Sequence, residues 1–90
     1  MRTTKELLEL LKTEIENYNI LRFTGMCGCI FDMYNNRECI SKDEYHYLKN
    51  YLRNNVHKNI SIGEYWWPVG DKQIRLAWID RQLKKLQDGE

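Results

Sequence analysis

Between positions 65 and 81 the chain gathers six side chains of two kinds: Tyr65, Trp66, Trp67 and Trp78 are aromatic, and Arg75 and Arg81 are guanidinium cations. Aromatic faces stack nucleobases at about 1–3 kcal/mol each, and an arginine fork binds phosphate through two parallel N–H bonds. Pro68 and Gly70 exclude a helix through the aromatic run, whereas Asp71 is a good N-cap for a helix carrying Arg75 and Trp78. The spacing therefore lets the loop aromatics lie over the first turns of that helix, beside backbone N–H groups that attract anions. The same residue types anchor protein interfaces and fill cores or dimer seams, and at this level all three readings stay open.

Nothing else in the chain has the spacing of a catalytic constellation. There is no P-loop, no dinucleotide-binding fingerprint, no nucleophile elbow and no His-Glu-x-x-His, so a non-enzymatic protein is expected. Asp32, Glu38, Asp43 and Glu44 read as capping and surface carboxylates, and His46 and His57 as solvated side chains. Cys27, Cys29 and Cys39 are an odd set in a chain with no sign of an oxidising compartment, and read as free thiols. Joined to His46 or His57 they would make one loose Cys-x-Cys pair, short of the knuckle spacing of a zinc site, so neither metal nor cofactor is expected.

With 90 residues, 42% of them hydrophobic and 30% charged, the chain has room for one domain. The mean hydropathy of −0.71 is low, and no run approaches the roughly 20 apolar residues of a membrane span. The first residues, Met1-Arg2-Thr3-Thr4-Lys5-Glu6, lack the apolar core of a signal peptide, and a cytoplasmic protein is expected. A net charge of +1 supplies no global basic field and disfavours non-specific nucleic-acid binding.

Four helices must position the aromatic-basic set. Thr3 and Glu6 have capping-box spacing and open a helix to Tyr18, with Leu7, Leu8, Leu11, Ile15 and Tyr18 on one stripe and Glu6, Glu9, Lys12 and Glu16 opposite. After a connector over 19–24, Gly25 starts a short helix through Met26, Cys27, Ile30, Phe31 and Tyr34. Gly25 and Gly28, with small Cys neighbours, imply close backbone approach of another helix or of a ligand. Asn35-Asn36-Arg37 supplies a turn, since asparagine tolerates a left-handed backbone and caps helix ends.

Ser41 and Glu44 form a second capping box, ahead of a helix with Tyr45, Leu48, Leu52 and Val56 on one side and Tyr47 and Tyr51 on another. From His57 to Gly70 helical periodicity stops, giving one long aromatic loop. The last helix runs from Asp71 to about Gln87, with Leu76, Ile79, Leu83 and Leu86 on one stripe and Ile74, Trp78, Arg81 and Lys85 nearly opposite. The expected fold is all-α, a compact bundle of about four helices in a single domain over 1–90. Two-sided third and fourth helices would leave a small monomer with unburied faces, so a homo-oligomer is expected.

Across about residues 20–80, Gly25-Met26-Cys27, Ile40-Ser41-x-x-Glu44-Tyr45, Leu48, Tyr51-Leu52, Tyr65-Trp66-Trp67-Pro68-x-Gly70, Arg75 and Trp78 together resemble small proteins encoded by bacteriophages and prophages. In those proteins a Gly-Leu-Cys opens the second helix, an Asn-Arg-Pro follows the third and a proline precedes the arginine. This chain instead has Gly25-Met26-Cys27, Asn54-Asn55-Val56 and Ile74. The resemblance implies phage origin, and with it action in the host bacterial cytoplasm by binding a host component. One such role is a homo-oligomeric sponge that sequesters a nucleotide signal of antiviral defence, a cyclic dinucleotide or an ADP-ribose derivative. Trp66, Trp67 and Trp78 would then stack bases, with Tyr65 beside them, and Arg75 and Arg81 would hold phosphates. The alternatives are an inhibitor docking its aromatic face on a host protein, a DNA-associated phage accessory protein, which the near-zero charge opposes, and a hydrolase built on the scattered carboxylates.

Overall fold

In the computed structural model, which describes residues 1–17, 25–55 and 72–89, every element is a helix: α1 (Thr4–Asn17), α2 (Gly25–Asn35), α3 (Lys42–Asn55) and α4 (Lys72–Gly89). Both capping boxes form. The Thr3 N–H donates to Glu6 Oε1 at 3.0 Å and the Glu6 N–H to Thr3 Oγ1 at 3.2 Å. At α3 the Ser41 N–H donates to Glu44 Oε1 at 2.8 Å and the Glu44 N–H to Ser41 Oγ at 3.1 Å. Each box satisfies two backbone donors that a helix start otherwise leaves open, and so fixes where the helix begins.

Helix α1 is the hub, packing on α4, on α2 and, more lightly, on α3. Its leucine stripe, Leu7, Leu8 and Leu11, is wholly buried with Ile15 against Ile30 and Met33 of α2, Leu48 and Leu52 of α3, and Trp78 and Ile79 of α4. Each such side chain contributes about 1.5–3 kcal/mol on burial. Polar ties hold the rims. Lys12 Nζ lies 3.0 Å from Asp80 Oδ1 between α1 and α4, and Thr4 Oγ1 hydrogen-bonds the Tyr47 hydroxyl between α1 and α3. Arg2 pairs with the buried Glu44, Nη1 to Oε1 at 2.8 Å, and its N–H donates to Oε2 at 2.9 Å.

Two local expectations need correction. The left-handed residue after α2 is Glu38, at φ 54°, and not an asparagine. Before it, the Asn36 and Arg37 N–H groups both return to the Asp32 carbonyl, at 2.9 and 2.8 Å, and the Cys39 N–H reaches the Met33 carbonyl at 2.9 Å. The turn is thus widened past the asparagines, which moves the strained position downstream. The second correction is the orientation of α4. Arg75, Trp78, Ile79 and Gln82 are buried while Leu76, Leu83 and Leu86 are half-buried, so its core face is rotated about a sixth of a turn from the leucine stripe toward Trp78. An indole has more area to bury than a leucine, and the helix turns to bury it.

Trp78 lies inside its own chain, and Tyr47 and Tyr51 of α3 meet α1 and α4, the Tyr51 hydroxyl donating to Gln82 Oε1 at 3.2 Å. Of the α4 side that carries Trp78, Arg81 and Lys85, only Trp78 is buried, while Arg81 and Lys85 are exposed.

Candidate functional site

Of the six aromatic-basic residues, Tyr65, Trp66 and Trp67 lie outside the described residues, as does the expected aromatic loop. The other three share α4 but not a face. Arg75 and Trp78 are buried, with 5% and 2% of their surface exposed, while Arg81 is exposed. With 2% of its surface exposed, Trp78 offers no open ring face to a base.

Arg75 instead enters the core. Its Nη1 lies 3.8 Å from the Cys29 sulfur of α2, and its Nε and Nη2 have no hydrogen-bond partner among the described residues. Burial pushes the Cys29 thiol up to about 11, against the pull of Arg75, so the group facing the guanidinium is a neutral thiol at physiological pH. A buried arginine without an anionic partner costs several kcal/mol, which ordinarily drives pairing with a carboxylate or phosphate.

The other side of Cys29 is acidic. Glu14 of α1, 4% exposed, and Asp32 of α2 both add negative potential at that thiol. Glu14 is raised to about 7, first by burial and then by its hydrogen bond and repulsion with Asp32, whose own value that bond lowers. Arg37 covers the pair from the turn after α2, its Nε 3.2 Å from Asp32 Oδ2 and 3.7 Å from Glu14 Oε2. Asn36 Nδ2 donates to Asp32 Oδ1 at 2.7 Å. Two carboxyl groups, a thiol and an arginine thus run through the interior from α1 to α4, with Glu14 Oε2 and Asp32 Oδ2 buried and without a hydrogen-bond partner among the described residues.

This buried polar row is what sequence reasoning missed. Its signal was present at Glu14, which at helical spacing lies at the edge of the Leu7, Leu11 and Ile15 stripe, about 20° beyond Leu7. Arg75 carried no equivalent signal, because the leucines of α4 pointed to a different core face.

Two other places were candidates. The depression on α1 lined by Arg2, Glu6, Glu9, Leu10 and Thr13 is open, and its arginine is already committed to Glu44. On α2 and α3, Phe31 is 48% exposed and meets Tyr45 edge-on, while Tyr34 stacks on Tyr45 at 5.0 Å and Lys49 Nζ lies 5.1 Å from that ring's centre. Among the described residues no group of three or more His, Cys, Asp or Glu side chains is placed to hold a metal, and no helix is long and apolar enough to cross a membrane. Cys29 and Cys39 are free thiols. Comparison of the chain with protein-family models, curated proteins and solved structures returns no match.

Proposed function

We propose that the chain is a phage-encoded, non-enzymatic binding protein that sequesters an anionic nucleotide signal of host defence, with Arg75 as the anchor for its phosphate. The observation that carries this reading is the buried guanidinium, which has two donors and no anion among the described residues to receive them. A bound phosphate supplies what the core lacks, and the adjoining Tyr65-Trp66-Trp67 segment supplies aromatic faces for a base. Trp78 packs behind Arg75 in this account, and Arg81 serves the surface.

The test is a melting and native-mass screen of the purified protein against cyclic dinucleotides, cyclic ADP-ribose isomers and simple nucleotides, repeated on Trp67→Ala. A stoichiometric, unmodified ligand that raises the melting temperature supports sequestration, since a ligand at 100 times its dissociation constant adds about 2.7 kcal/mol. Turnover of the ligand would make the protein an enzyme, and silence across the panel would remove the nucleotide reading. The exposed Phe31 with Tyr34 and Tyr45 favours a second reading, docking on a host protein. Retention of one host protein that Phe31→Ser abolishes would establish it.

A further inference from the structure

Beyond the N-terminal Met1, Phe31 is the only large apolar side chain left exposed among the described residues. It stands at the edge of Tyr45, with ring centres 6.2 Å apart, and Lys49 Nζ lies 5.1 Å from the centre of the same Tyr45 ring. Lys42 and Lys49, three before and four after Tyr45, share that side of α3, and neither forms an ion pair among the described residues. The acidic residues of α3 do not offset them. Asp43 lies about 160° round the helix from Tyr45, and Glu44 is buried against Arg2. Phe31 is thus an apolar knob beside two unpaired ammonium groups.

The hollow on α1 has the opposite character. Its volume is about 340 Å³, more than twice the roughly 150 Å³ that takes up a benzene ring, and Leu10 lines it with Arg2, Glu6, Glu9 and Thr13. Arg2 is neutralised by Glu44, Lys12 is tied to Asp80, and Lys5 is not among the lining residues. The charge that an incoming group meets is therefore that of Glu6 and Glu9, with Leu10 one turn after Glu6 as the apolar contact.

Knob and hollow share no residue, and Phe31, at 48% exposed, is not seated in the hollow of its own chain. A surface complementary to a different surface of the same molecule joins copies head to tail. We propose that Phe31 of one copy seats against Leu10 in the α1 hollow of the next, with Lys42 and Lys49 facing Glu6 and Glu9, so that copies associate by a heterologous contact. Opposite charges set the register of that contact, and the phenyl ring supplies its apolar anchor. A polynucleotide suits the knob less well, because Tyr34 and Tyr45 stack on each other at 5.0 Å and do not offer those faces to bases. Neither surface includes a residue of 65–81, so each copy keeps its own candidate ligand site and the association stands apart from the nucleotide reading.

The experiment is sedimentation equilibrium of the whole chain, without nucleotide, from about 10 μM to 1 mM, the range in which so small a contact is expected to fill. The average mass is expected to rise with concentration past that of two copies, and to fall back toward one copy in about 1 M salt, which screens exposed charges. Phe31→Ser removes the knob and Glu9→Lys reverses a charge of the hollow, both at exposed positions, so each variant alone is expected to stay a single copy. Mixed one to one, the knob of Glu9→Lys meets the hollow of Phe31→Ser, and a complex of two copies forms that grows no further. A wild-type protein that stays a single copy throughout overturns the proposal and leaves Phe31 to another protein. Growth that stops at two copies, growth that survives in either variant, or a mixture that does not pair overturns the head-to-tail contact. The wild-type series decides the self-association even where a variant does not fold.

Discussion

The Arg75 guanidinium stands 3.8 Å from the Cys29 sulfur, across the interior between α4 and α2, with a neutral thiol where buried arginines usually meet a carboxylate. The carboxylates that might have met it, Glu14 and Asp32, are bound to each other and to Arg37. The interior thereby keeps acid and base apart, and each half has measurable consequences.

The acidic half predicts a fold that weakens as pH rises. Glu14 has a folded value of about 7 against an unfolded value near 4.5, so its contribution is full below 4.5 and is lost as pH rises through 7. The size is up to about 3 kcal/mol for a shift of this order. Glu14→Gln, which keeps the shape and a donor toward Asp32, is expected to raise the urea midpoint at pH 8 and to flatten the decline between pH 5 and 8. An unchanged profile would mean that Glu14 is ionised in the fold.

Glu44 acts in the opposite direction. Its backbone bonds from Ser41 and Arg2, and the Arg2 side chain, hold it down to about 2. Its contribution is present above 4.5 and is lost as pH falls toward 2. Glu44→Gln is expected to cost about 2–3 kcal/mol at neutral pH, measured by denaturant unfolding, and to remove the acid limb of the stability curve. Together Glu14 and Glu44 place greatest stability near pH 4.5–5.

Glu38 carries a left-handed backbone at φ 54°, which costs a residue with a Cβ about 1 kcal/mol. Glu38→Gly is expected to recover most of that, less the entropy of the freer unfolded chain, and to raise the melting temperature by a few degrees. A loss of stability would show that the Glu38 side chain holds the turn.

Where the chain signals an element with its own residues, the helix bounds and caps were legible. Thr3 and Glu6, and Ser41 and Glu44, cap in the bonded pairs their spacing implies, because those bonds close within four residues. The leucines of α1 behave likewise. The face of α4 was not legible, since rotation about a helix axis is set by what packs around it, and Trp78 outweighs Leu76 only once α1 is beside it. For the same reason the sequence placed Arg75 with the aromatic-basic set and not in the core. Its burial depends on a neighbouring sulfur 46 positions away, which no local spacing encodes.

The central claim is that Arg75 is held for a ligand and not for the fold, and Arg75→Met tests it most directly by melting with and without nucleotide. Without ligand, the account predicts a variant as stable as the wild type or more so, because an apolar side chain of similar volume removes an unpaired buried charge. It also predicts that the nucleotide-induced rise in melting temperature disappears. A drop of several degrees without ligand, or a nucleotide-induced rise that survives the substitution, would contradict it.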